Sequence, residues 1–108
     1  MPPPTGAAFA DVLGSCVAGS RYSTGQLAML SGVPKRTIAH WLEGVVARPR
    51  DWRDLVRVAA ALRLDEADAT RVLLAARHPG IAQLLGQAPD GEDRRLLAPW
   101  AEVVGRRL

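Results

Sequence analysis

Ser23 to Gly44 reads STGQLAMLSGVPKRTIAHWLEG, and the fold of the whole chain turns on this stretch. It predicts two short helices meeting at a tight angle, the first over Thr24–Ser31 and the second over Lys35–Glu43. A serine ahead of a helix can accept one of the first-turn N–H groups that have no partner inside the helix, so Ser23 is the expected cap. Gly32 suits the position just past the helix end, where a left-handed backbone costs glycine little. Pro34 suits the opening of the second helix, where no backbone donor is missed.

Counted from Thr24, the apolar Leu27, Val33, Ile38 and Trp41 stand fourth, tenth, fifteenth and eighteenth, with Ala28 fifth and Gly32 ninth. A helix-turn-helix needs this arrangement. Its apolar positions join the two helices to a third, its fifth position is small because the helices nearly touch, and its ninth makes the turn. An ordinary helical hairpin with the same spacing is the alternative. The pieces LA at Leu27–Ala28, SGVPKRTI at Ser31–Ile38, WLEG at Trp41–Gly44, Arg48–Pro49, and LVRVAAALRL at Leu55–Leu64 resemble the lambda-repressor-like (Xre-type) helix-turn-helix family, over roughly residues 7 to 77. The resemblance implies an all-α, five-helix bundle that binds double-stranded DNA as a symmetric homodimer.

Outward from the motif, the remaining helices follow from periodicity. Phe9, Val12, Leu13, Cys16 and Val17 repeat every three to four residues, giving a helix over about Gly6–Ala18 that Gly19-Ser20 ends. Residues 1–5 are a proline-rich stretch read as a flexible tail. Cys16 lies on the apolar face and reads as a small core residue rather than a nucleophile. Beyond Gly44, Glu43–Arg50 forms a loop and Asp51 caps a fourth helix with Trp52, Leu55, Val56, Ala59 and Leu62 on one face. Asp65 caps a fifth, Asp68 completes a box-like start, and Val72, Leu73 and Ala76 face the core. Arg71 and Arg77 are expected toward its C-terminal, negative end. Pro79 should stop it near His78, which closes the helix-turn-helix domain at 6–78.

Residues 79–108 read as a C-terminal helical extension. It has a short helix over Gly80–Gln87, a turn over Ala88–Gly91, and a helix over Glu92–Ala98; Pro99 either kinks that helix or opens another through Arg107. Leu96, Leu97, Trp100, Val103 and Val104 make this segment strongly apolar. Such a surface has to be buried against the bundle, a second copy or a larger chain.

A length of 108 residues fits one domain with a real core, and nearly half of the residues are apolar. The single cysteine forms no internal disulfide, which suits a reducing compartment. The opening MPPPTG has neither the basic nor the apolar region of a signal peptide, and no apolar run approaches a membrane span. The expected location is therefore cytoplasmic, with no membrane partner. Charge is uneven along the chain. Arg21–Arg57 holds seven basic and three acidic residues, whereas Asp65–Asp93 holds six acidic and two basic. The basic block coincides with the helix-turn-helix, as phosphate binding requires. Two histidines and one cysteine at no metal-site spacing, and no glycine-rich phosphate loop, point to no enzyme, no metal and no cofactor.

The resemblance supplies the candidate site. The family's groove-facing positions fall on Lys35, Arg36, Thr37 and His40, which would read base edges; Lys or Arg suits guanine, and Thr suits a thymine methyl. Phosphate contacts fall to Thr24 and Gln26 at the start of the first motif helix, and to Arg48, Arg50 and Arg53 after the second. Three departures stand out. Thr24 replaces the family's usual opening glutamine. Glu43 puts a carboxylate near expected phosphate. Val45 and Val46 replace polar loop residues. The implied function is that of a transcriptional regulator or repressor. The alternative is an interaction or adaptor module on the same fold, the N-terminal part of a larger signalling, defence or toxin–antitoxin protein, with a protein partner at Val45, Val46 or the C-terminal helices. Fold alone does not choose between them.

Overall fold

The computed structural model describes residues 5–46, 48–88 and 91–106. Among them the chain is all-helical, with no strand: α1 Thr5–Ser20, α2 Thr24–Ser31, α3 Lys35–Leu42, α4 Trp52–Ala61, α5 Glu66–Ala75, α6 Ile81–Gln87, α7 Glu92–Leu96 and α8 Ala98–Arg106. No described helix is long and apolar enough to cross a membrane. Of the tail expected at 1–5, only Thr5 lies within the described residues, and it opens α1.

The residue just ahead of the helix caps α2, α4 and α5 through its side chain. Ser23 and Gln26 form a reciprocal box at α2: the Gln26 amide donates to Ser23 Oγ at 3.1 Å and the Ser23 amide donates to Gln26 Oε1 at 2.8 Å. Asp51 accepts from the Arg53 amide at α4. Asp65 accepts from the Asp68 amide at α5, without the reciprocal bond of a full box. Pro99, the alternative left open above, stands in the first turn of α8, where its missing N–H costs nothing.

Helix ends differ from expectation most at α1 and α5; α3 also stops one residue early, at Leu42, and α7 two residues early, at Leu96. α1 runs through Gly19 to Ser20, and Arg21 at φ 65° breaks it. The Ser20 hydroxyl donates to the Val17 carbonyl and accepts from the Tyr22 amide, holding the break. α5 stops at Ala75, ahead of Pro79, because the Arg77 backbone turns left-handed at φ 64°. Arg71 therefore lies in mid-helix, 3.4 Å from Asp68, and not in the last turn; Arg77 lies past the end.

One core serves every helix. Phe9 and Leu13 of α1, Leu27 of α2, Ile38 and Trp41 of α3, Leu55 and Val56 of α4, and Val72 and Leu73 of α5 are all buried. Val58 and Ala69 join them, beyond the positions that periodicity had picked out. α4 is the central member and packs on α2, α5 and α7, while α1 packs on α3 and α5. The last three helices fold back over this bundle. Leu97, Trp100 and Val104 are buried, and the Trp100 indole donates to the Leu64 carbonyl at 2.9 Å. The Ile81 amide donates to Thr70 Oγ1 at 3.2 Å, so a side chain of α5 caps α6.

Candidate functional site

α3 is fixed by its apolar side. Ile38 and Trp41 are buried, and the Trp41 ring meets Phe9 of α1 edge-on, with centroids 6.2 Å apart and planes at 66°. With that face anchored, the rest of the helix turns outward. Lys35 and Arg36 are exposed, and Thr37 and His40 are half-buried. The four candidate base-reading residues thus share the accessible part of one short helix.

The start of α3 is also chemically open. Pro34 offers no side-chain acceptor, and among the described residues the amides of Lys35, Arg36 and Thr37 find none in the protein. Unpaired amides at a helix start, with the positive end of the helix dipole, favour an anion. The start of α2 is more closed. The cap consumes the Gln26 amide and its side-chain oxygen, which leaves the Gln26 side-chain NH₂, the half-buried Thr24 and the Gly25 amide for an outside partner.

The three arginines after α3 fall into two groups. Arg48 and Arg50 are exposed on either side of Pro49, which is buried. The Pro49 carbonyl lies 2.6 Å from His78 Nε2, so the end of α5 pins the loop between its two cations. Arg53 is committed inside the chain. Its Nε and Nη2 meet the two oxygens of Asp93 at 2.6 and 2.8 Å, its Nη1 meets Asp51 at 3.1 Å, and its guanidinium lies 4.8 Å from the centre of the Trp52 ring. Its hydrogen bonds to Asp93 and then Asp51 push the guanidinium above its ordinary pKa. The hydrogen bonds from Arg53 hold the Asp93 carboxyl below the usual value of 3.8. Asp51 is lowered first by the Arg53 amide.

Two partners escaped the sequence reading, His78 for Pro49 and Asp93 for Arg53. Each pairs across a long separation that no local pattern marks. Of the departures from the family pattern, Glu43 is exposed just past α3, Val45 is 66% exposed, and Val46 packs partly against the core. Cys16 is half-buried on α1, and burial, ahead of nearby charges, pushes its thiol above the ordinary value. Among the described residues no group of His, Cys, Asp or Glu is arranged to hold a metal ion. Comparison with known protein families, curated proteins and solved structures gives no match.

Proposed function

We propose that the chain binds double-stranded DNA sequence-specifically through a helix-turn-helix at 23–44, on a lambda-repressor-like bundle, and acts as a transcriptional regulator. One observation carries this: α3 is clamped by Ile38 and Trp41 while Lys35 and Arg36 stand exposed at its uncapped start. In this reading Arg36 and Lys35 meet base edges in the major groove, with Thr37 and His40 beside them. Arg48 and Arg50 meet phosphate. Arg53, held by Asp93 and Asp51, orders the start of α4 instead. Binding as a two-fold homodimer would put half-sites about 10 base pairs apart, or a multiple of that.

The adaptor alternative rests on exposed apolar surface. Leu97, Trp100 and Val104 are buried in the chain itself, which removes much of what the C-terminal helices could offer; Val45 and, on α8, Val103 remain exposed. The test is selection on mixed genomic DNA followed by a salt titration. Enrichment of a defined site, with a steep fall of log affinity against log salt, is the expected result. Absence of any enriched site would turn the reading toward the adaptor.

A further inference from the structure

Between α2, α4 and the α7–α8 junction lies a groove of about 430 Å³, a size typical of sites that hold ligands. Its floor is the small-residue face of α4, and none of Lys35, Arg36, Thr37 or His40 lines it. Three arginines line it: Arg57, Arg63 and Arg95. Arg57 is already answered by Asp54 at 2.8 Å. The side chains of Arg63 and Arg95 make no hydrogen bond or ion pair among the described residues.

At the α2 end the groove opens onto an apolar lip. Leu30 is 59% exposed and Met29 87% exposed, with Tyr22 beside them. A single exposed apolar side chain is ordinary. Two consecutive large ones, next to a tyrosine, a groove and uncompensated arginines, have the make-up of a protein-binding patch, in which Tyr, Met and Arg are enriched. The chemistry narrows the occupant. Inorganic phosphate or a nucleic-acid backbone would satisfy the arginines and leave the lip in water. A neutral apolar segment would fill the lip and leave Arg63 and Arg95 unanswered.

We propose that this groove docks an acidic peptide segment of a partner protein, with a bulky apolar side chain against Leu30 and Tyr22 and carboxylates on Arg63 and Arg95. Charge of opposite sign across the contact raises the association rate and makes binding fall with salt. The proposal does not rest on the DNA reading: Tyr22, Leu30, Arg63 and Arg95 are none of the proposed DNA contacts, although Gln26, a candidate phosphate contact, borders the same apolar lip.

Selection of a random peptide library on the intact chain tests it. Enriched sequences should carry Asp or Glu around a Leu, Phe, Ile or Met. A fluorescein-labelled copy of the leading sequence should bind the chain, with affinity falling at least tenfold in an Arg63→Gly, Arg95→Ser variant and in Leu30→Ser. Each variant is first shown to melt no earlier than about the wild type, so a lost fold cannot imitate a lost site. Enrichment of neutral or basic sequences, no enrichment at all, or acidic peptides that bind these variants as well as wild type would overturn the proposal. So would loss of DNA affinity in the Arg63, Arg95 variant with peptide binding unchanged, which would make the arginines a nucleic-acid contact.

Discussion

Gly80 has no side chain because Thr70 fills the space one would need. A Cβ there would lie 2.7 Å from the Thr70 methyl, and Thr70 cannot simply rotate away, since its hydroxyl caps α6 through the Ile81 amide. Gly80→Ala should therefore destabilise the chain by roughly 1–3 kcal/mol, through overpacking or loss of the cap. Adding Thr70→Ser removes the methyl and keeps the hydroxyl, so the double variant should recover most of the loss in thermal melting. If it melts no better than the single variant, the contact is not the cause. The same scale separates the two kinds of DNA contact proposed for the arginines. Arg36→Ala should cost roughly 1–3 kcal/mol on the selected site and relax preference at one base pair. Arg48→Ala should weaken binding to all sequences alike and make the salt slope shallower by about one unit. Equal effects of both on every sequence would place Arg36 on phosphate too.

Helix endings show what can and cannot be read from residue type. α3, α4 and α5 all close with a bond spanning five residues: Val45 to His40, Leu64 to Ala59, and His78 to Leu73, each from amide to carbonyl. This closure needs one left-handed residue. At α3 that residue is Gly44, at φ 76°. At α4 and α5 it is an arginine, Arg63 at φ 56° and Arg77 at φ 64°. The Gly32 turn, at φ 77°, was legible because glycine is the residue such a backbone favours. The other two were not, because arginine carries no such signal, and α5 was expected to run on toward Pro79. Two opposite outcomes follow. Gly32→Val should cost at least about 1–2 kcal/mol, since a β-branched residue fits that backbone poorly. Arg63→Gly should raise stability by roughly 0.5–1 kcal/mol by relieving the same strain. Chemical denaturation of both variants checks the pair, and a shift in the same direction for both would show that the backbone term does not dominate.

For the whole molecule, the last three helices are part of the bundle and not an arm. The radius of gyration, 13.3 Å, is close to the ~13 Å expected of a compact domain of about 100 residues. Composition had required Trp100 and its neighbours to be buried, but not where, since burial is non-directional and bonds such as Trp100 to Leu64 are set only by tertiary packing. Charge is the other tie. Asp93 joins α7 to α4 through Arg53, and its carboxyl is held below 3.8 by that partner. A lowered carboxylate contributes its full stabilisation above its ordinary value and loses it as pH falls through the lower, folded one. The melting temperature should therefore fall more steeply in wild type than in Asp93→Asn as pH drops below the ordinary value of 3.8, with the two curves converging at the acid end. Parallel curves would mean that the pair adds nothing to the docking.

The contact between Pro49 and His78 has a consequence in time. Surface loops ordinarily fluctuate in nanoseconds to microseconds. This one is fastened at its middle to the residue that closes α5, so its larger excursions must wait for that closure to come undone. Backbone NMR relaxation should then find Arg50 ordered on the nanosecond scale although it is exposed. In His78→Ala the order parameter at Arg50 should fall while those of Leu55 and Val56 in α4 stay high. If Arg50 keeps its wild-type order, the fastening exerts no hold. If it loosens, the two exposed arginines are steadied by a helix end almost thirty residues further along the chain.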